Sequence, residues 1–527
     1  MTLNNFHKIK YIILCVSLLL FNCKKNKEPT LFNADYIFPI LSDTIDLTNF
    51  FGFTNFNIIE ENNCAILIDT LEIFNLEQQD FLPNLDFVIA DTLEFPSLIF
   101  GFPFPPGLEI PYNFENDEDF VFEDVQLNEI DFNNLKISYT IESNLNGGVY
   151  FNLTIPTATN SNGEFFNDII NISNSNGQIT TYTGEIYLDD YTFDLSNNQT
   201  TFNNIRTSIR VGCSENNSSS IILNSNSFLS MKLRLIDLNI KTINGYFGSI
   251  TYSDTNSFII PEMGKFQSNN LAVENPEIEL LIKNGIGIDA ELLTNELSFL
   301  KNENLYNLEH EIINNPINIS RAIELEENVE YSMESININN QNSNLENLTP
   351  VFPETIQYRY HLQTNPLGNQ SNYNDFFKSN HTLETKLGLN IPFKFNINNL
   401  TYKDTLNISI PKETNANNAK LHLQIDNEFP VNCCINLGLI NGDSLQITPN
   451  CIAAANLNSF GNLISSETSD ITIQINKKQL DEIINQQKIL ITTTLNSPES
   501  NINFPVSKTQ KLSYKIGLEL NYNVNLK

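Results

Sequence analysis

Tryptophan is absent from this 527-residue sequence, histidine occurs five times, and charged residues make up only 17% of it. Each shortage removes a class of function. Sugar-binding platforms usually stack the ring on Trp as well as Tyr, so the missing Trp argues against one. Lys and Arg number 29 against 62 Asp and Glu, a formal charge of −33. A nucleic-acid partner needs cations to neutralise phosphates, and this balance excludes it. His310, His361, His381 and His422 share no metal-ligand spacing and read as exposed, solvated side chains. No GxSxG elbow, phosphate-binding glycine loop or dinucleotide fingerprint occurs. The expectation is no catalytic residue, no cofactor and no metal ligand.

Cysteines are sparse and odd in number once the leader and Cys23 are set aside: Cys64, Cys213, Cys433, Cys434 and Cys451. Such a set is not a disulfide framework. Cys433 and Cys434 are adjacent in an alternating run, and neighbours on a strand point to opposite faces. They cannot jointly grip one metal. Cys433 reads as a small buried hydrophobe, and Cys434 is the one free to bridge to Cys451.

Long apolar runs are missing as well. Residues 11–21 form an apolar stretch too short to span a bilayer, preceded by Lys8 and Lys10. This is the pattern of a signal-peptide leader. The Leu-Leu-Leu-Phe-Asn-Cys that ends it resembles a bacterial lipobox, with Leu20 at the −3 position and Cys23 as the lipidated residue. The resemblance implies a signal peptide over 1–22, a tether over 23–30 and an outer-membrane lipoprotein held by an N-terminal lipid. It leaves the periplasmic and cell-surface sides both open.

What the sequence has in abundance is strand. Leu135, Ile137, Tyr139 and Ile141 alternate, as do Ile278, Leu280 and Ile282, and then Leu421, Leu423 and Ile425. Period two with one apolar face marks half-buried strands. Each run meets an Asn (Asn144, Asn284, Asn427), breaks at Gly or Pro, and resumes. The spacing predicts three related β modules, with one extra residue in the first break. On this alignment Cys433 matches Ala290. Asn-Gly pairs at 162–163, 176–177, 244–245 and 441–442 predict type I′ hairpin turns. One helix is expected after Asn476, with Gln479 closing a capping box and Leu480, Ile483 and Ile484 as its apolar stripe. A second short helix is expected within 295–327.

The fold expectation is all-β: several antiparallel β-sandwich-like modules in tandem with few short helices. The modules are placed at 131–270, 271–400 and 401–527. Residues 31–130 are read as an N-terminal β segment ending in a Phe/Pro-rich stretch and an acidic turn, an edge or linker region. The repeated strand–Asn–break element, Ile-Asn-Gly-Tyr-Phe-Gly-Ser-Ile from Ile243 and the Cys-Lys-Lys start are together similar to large uncharacterised β-rich lipoproteins of Bacteroidetes. The element is also similar, less closely, to small sandwiches of the late-embryogenesis-abundant type. The first resemblance implies the envelope address and the β architecture, and no catalytic residue. Five short sequences resemble the O-glycosylation motif of that phylum, with Thr44, Thr70, Thr92, Thr405 and Ser444 as acceptors. Asp-Thr pairs are equally common turn chemistry.

Two functions follow as expectations. One is a non-enzymatic, lipid-anchored envelope protein with a structural, adhesive or assembly role and envelope proteins as partners. The other is a carrier whose β-lined cavity holds a lipid or another apolar ligand.

Overall fold

The computed structural model describes residues 30–47, 57–82, 85–196, 201–259, 266–267, 270–325, 328–348, 353–410, 416, 419–445, 450–459, 461–498 and 503–526. Cys23, the leader and all but the last residue of the tether lie outside them.

The period-two alternation becomes antiparallel strands. Three of these come early in the chain: β1 (Thr30–Asp46), β2 (Cys64–Leu76) and β3 (Val88–Thr92). Each later module is then entered by a pair of strands and closed by a third. In module 1 these are β4 (Gln126–Ser143), β5 (Val149–Asn160) and β6 (Leu229–Tyr246). In module 2 they are β7 (Glu277–Asn284), β8 (Ala290–Lys301) and β9 (Leu383–Pro392). In module 3 they are β10 (Ala419–Asn427), β11 (Asn432–Gly438) and β12 (Lys511–Leu526).

The pairing is the same in all three. One sheet sets the entry strand between the closing strand and a middle strand: Thr180–Asp194 in module 1, Ser332–Ile338 in module 2, Glu467–Ile475 in module 3. The second sheet runs from an edge strand through a penultimate strand to β5, β8 or β11 and on to a short outer strand. The edge strands are Glu109–Asp119, Thr251–Ile259 and Leu400–Asn407. Their apolar faces form one contiguous core, in which Ile137, Ile282, Ile425, Phe151 and Ile435 are all 0% exposed. In module 1 a short pairing of Tyr191–Phe193 with β5 also joins the two sheets.

The modules take strands from the start of the chain in reverse order, one each for modules 3 and 1 and, for module 2, the hairpin of Asn57–Glu61 with β2. β1 pairs with β12 of module 3, β2 with β9 of module 2, and β3 with β6 of module 1. The N-terminal segment is therefore a strap distributed over all three sandwiches. Strap residues Leu47, Ala65, Leu67, Ile89 and Leu93 are buried in the modules they join.

The sheets divide the chain at points other than those expected. Module 1 starts at its edge strand Glu109–Asp119, and residue 131 falls inside β4. The acidic stretch expected as a turn is this strand: Asp117 pairs with Arg206 at 2.7 Å, and Asp119 accepts from the Asn204 amide at 2.8 Å. Edge strands tolerate Pro and charge because one side of their ladder is unpaired, which is why their composition resembles a linker. The helix expected within 295–327 is absent among the described residues. Its start continues β8 and later residues form the short strand Ile317–Ile319, because pairing with Thr355–Thr364 overrides weak local propensity. The pair Asn244–Gly245 is no turn either. It sits at a register shift in β6, where a Cβ on Gly245 would lie 2.3 Å from the Gln126 carbonyl. The expected helix α1 (Lys477–Gln486) forms with its capping box, and Leu480, Ile483 and Ile484 are buried.

Candidate functional site

The break after each entry strand is a hydrogen-bonded clamp. In module 3 the Asn427 side chain is 0% exposed. Its Oδ1 accepts from Phe429 N at 3.1 Å, and its Nδ2 donates to Val431 O and Ala453 O, each at 2.9 Å. Asn284 does the same in module 2, accepting from Ile286 N and donating to Ile288 O and Ser320 O. A backbone bond lies alongside in each: Ala455 N to Phe429 O and Ala322 N to Ile286 O.

In module 1 the matching residue is Ser143, not Asn144. Ser143 ends β4, is 1% exposed, and its Oγ accepts from Leu145 N at 3.2 Å. Ser175 N donates to Leu145 O as its counterparts do. A serine is too short to reach the far carbonyl, Ser173 O. That carbonyl takes the Tyr182 hydroxyl instead, at 2.8 Å. With Ser143 in register, Val149, Ala290 and Cys433 each follow their clamp residue at the same spacing, and all three are buried. The extra residue expected in the first break disappears.

Cys433 is 0% exposed, and burial pushes its thiol up to about 12. Cys434 points to the other face and is disulfide-bonded to Cys451, which lies directly opposite it across the ladder. The bond holds the short strand Asn450–Ile452 beside the clamp carbonyl of Ala453.

The acceptor residues Thr44, Thr70, Thr92, Thr405 and Ser444 are all exposed. The four threonines lie within strands, not turns, and Asp43, Asp69 and Asp404 each accept the backbone N–H of the threonine that follows. Three belong to a longer repeat that the alternation pattern had hidden. Leu-Ser-Asp-Thr-Ile-Asp-Leu (41–47), Leu-Ile-Asp-Thr-Leu-Glu-Ile (67–73) and Ile-Ala-Asp-Thr-Leu-Glu-Phe (89–95) are one heptapeptide in three copies. The Asp-Thr centre of each copy lies on one strap strand, and the third copy runs on past the end of β3 at Thr92. Asp43 faces Tyr514 and Asp91 faces Met231, at equivalent rungs of modules 3 and 1, whereas Asp69 faces Leu389, four rungs further on. Tyr514 donates its hydroxyl to Asp43 at 3.2 Å, and burial followed by that carboxylate pushes the phenol up. An acid turned toward the open rim blunts a sheet edge against further pairing.

Modules 1 and 2 meet at an ion cluster. Asp375 is buried, and its carboxylate accepts from Arg321 at 3.1 Å and from the Asn365 amide at 2.8 Å. Arg321 also reaches Asp289 at 2.5 Å. Asn365 donates in turn to Gly248 O, and the strand Asp375–Lys378 pairs with β6. Burial pushes the Asp375 carboxyl up, against the opposing pull of Ser371, Asn365 and Arg321.

The histidines are half-buried and hydrogen-bonded, not fully solvated. His361 contacts Ser253 at 2.8 Å, His422 contacts Glu519 at 2.7 Å, His381 contacts Ser379 O, and His310 accepts from Ile312 N. No group of three metal-ligating side chains forms among the described residues. Two surface clefts stand out among the described residues. One, about 670 Å³, is lined by Phe120, Val121, Phe122, Phe202 and Tyr246. The other, about 630 Å³, lies between modules 2 and 3 beside Cys64, Lys394, Phe504 and Pro505. Inside module 2 an enclosed apolar void among Leu280, Leu292, Ile338 and Leu387 measures about 20 Å³, room for one water at most.

No family model matches this chain. No curated protein sequence matches it either. Among solved structures it is similar to a protein of Parabacteroides distasonis assigned as secreted, at 10% identity and a TM-score of 0.26, over 52% of this chain and 89% of that one.

Proposed function

We propose that this chain is a non-enzymatic, lipid-anchored protein of the cell envelope with a structural or assembly role. The observation that carries the reading is the strap. One segment, following Cys23 at tether length, supplies a strand to every module, so whatever pulls on the anchor pulls on a strand shared with the fold. Antiparallel ladders loaded along their length resist force through many hydrogen bonds at once. The carrier reading has less support: the interior void described in module 2, about 20 Å³, is far below the few hundred Å³ that a lipid requires, and the two clefts of that size lie open at the surface.

The test is metabolic labelling with radioactive palmitate of cells carrying the full chain or Cys23→Ala, followed by protease shaving of intact cells. The reading expects label on the first and none on the second, and a membrane-bound full chain. Equal labelling, or a fully soluble wild-type chain, refutes the anchor. Stoichiometric lipid in the delipidated, anchor-free chain would favour the carrier. Shaving decides between the periplasmic and cell-surface sides.

A further inference from the structure

We propose that module 3, last in the sequence, is the module that lies against the membrane, with helix α1 facing the lipid headgroups, and that module 1 is presented farthest away. This rests on the anchor reading above and adds an orientation to it.

The strap register carries the argument. Thr30 pairs with Leu526 and Asp46 with Lys511, a ladder of roughly 50 Å at about 3.3 Å per residue. The Lys511 end is the one next to module 2. Ser507 and Lys508 N both donate to Glu60, and Phe504–Pro505 pairs with Lys394–Phe395. The Thr30 end therefore points away from module 2. Six residues lie between Cys23 and Thr30, and however they are arranged they reach at most about 25 Å. An anchor at Cys23 holds the free end of module 3 near the bilayer.

Module 2 is contacted at opposite ends. Module 3 meets it at the Glu277 end of β7, through Glu274, Lys394 and Asn503. Module 1 meets it at the Asn284 end, through Asp289, Arg321 and Asp375. Among the described residues no ladder joins modules 1 and 3. The order outward from the anchor is thus 3, 2, 1.

Charge at the free end of module 3 fits a headgroup surface. Strand Glu467–Ile475 ends there at the pair Ala419–Ile475, and α1 follows across the end. Lys478 on α1 and Lys488 just after it are exposed, while Lys477 pairs with Asp481 at 3.4 Å and donates to Ala416 O, and Glu482 is half-buried; Asp443 is an exposed acid on the neighbouring turn. Two lysines at a helix N-terminus oppose the helix dipole, and an anionic headgroup beside them offsets it. Anionic headgroups attract such clusters.

The test replaces Cys23 with a hexahistidine tag on the chain from residue 24 and binds it to vesicles of phosphatidylcholine, phosphatidylglycerol and nickel-chelating lipid. In a Cys64→Ser background, a fluorophore is attached through Lys478→Cys, Lys488→Cys or Asn216→Cys, the last on the far end of module 1. A headgroup-attached quencher should reduce emission several-fold more at 478 and 488 than at 216. Equal quenching, stronger quenching at 216, or none at any site overturns the orientation. The tag stands in for the lipid, so this result is independent of whether Cys23 is acylated, and the palmitate experiment is independent of which module lies nearest.

Discussion

Tyr182 donates its hydroxyl to the Ser173 carbonyl at 2.8 Å, the carbonyl that asparagine claims in the other two modules. One structural position is satisfied by Asn427, by Asn284 and by a serine–tyrosine pair drawn from two strands. In modules 2 and 3 the bond is part-buried, where a carbonyl left without a partner costs about 1–3 kcal/mol; in module 1 Ser173 is exposed and the tyrosine bond competes with water.

Asn427→Ala removes three hydrogen bonds from a fully buried clamp, and about 3 kcal/mol of module 3 stability is expected to go with them. Tyr182→Phe removes one bond near the surface, where water can replace it, and should cost about 1 kcal/mol. Hydrogen exchange at Ala455 N and Ser175 N reads the two clamps separately. An unchanged rate at Ala455 N in the alanine variant would refute the assignment.

Cys434–Cys451 closes a loop with a sequence separation of 17. Cys451→Ser is expected to lower the stability of module 3 by about 3 kcal/mol, from the unfolded-state entropy the bond removes. Urea titration with and without reductant should show one transition shifting and the others holding still.

Arg321→Met strands Asp375 in the interior, at a cost of about 3–5 kcal/mol near neutral pH. The sign of the pH effect follows from burial, which raises the folded-state pKa of this carboxyl. A group raised in the folded state takes up a proton on folding, so its contribution is greatest below the unfolded pKa. It is lost as pH rises through the folded pKa. The variant should therefore approach the parent on acidification, and thermal melts between pH 4 and 8 measure the gap. A gap that widens toward acid contradicts the ion pair.

Deleting residues up to Leu47 strips β1 from β12 and leaves an unpaired edge beside Leu512, Tyr514, Ile516 and Leu518, now all buried. Open edges of this kind pair with other chains. The truncated protein is expected to self-associate on size exclusion, and a peptide spanning 30–47 should return it to monomer. A monomeric truncation would show that β1 is dispensable.

Much of this was legible beforehand. Leu421, Leu423 and Ile425 announced their strand because burial on one face imposes period two, and α1 announced itself through Asn476 and Gln479. The strap heptapeptide stands in the sequence too, at residues 41–47, 67–73 and 89–95, and the three-residue Asp-Thr motif is only its centre. Asn144 misled for a different reason. Ser143 and Asn144 are both good hydrogen-bonding residues, but the alternation Leu135, Ile137, Tyr139, Ile141 runs on to Ser143, as 278–282 runs on to Asn284 and 421–425 to Asn427, so strand period alone places Ser143 inward.

The sequence by itself determined the strand content, the modular repeat, the helix cap and the isolation of Cys433 from Cys434. These are local consequences of side-chain period and turn chemistry. Only the tertiary structure decided that the first strands belong to the last modules in reverse order, that Tyr182 completes the clamp Ser143 leaves short, and that Arg321 sits between Asp289 and Asp375. Those pairings join residues from 9 to almost 500 positions apart. An edge strand carries the same alternation whichever sheet it joins, so periodicity cannot name its partner.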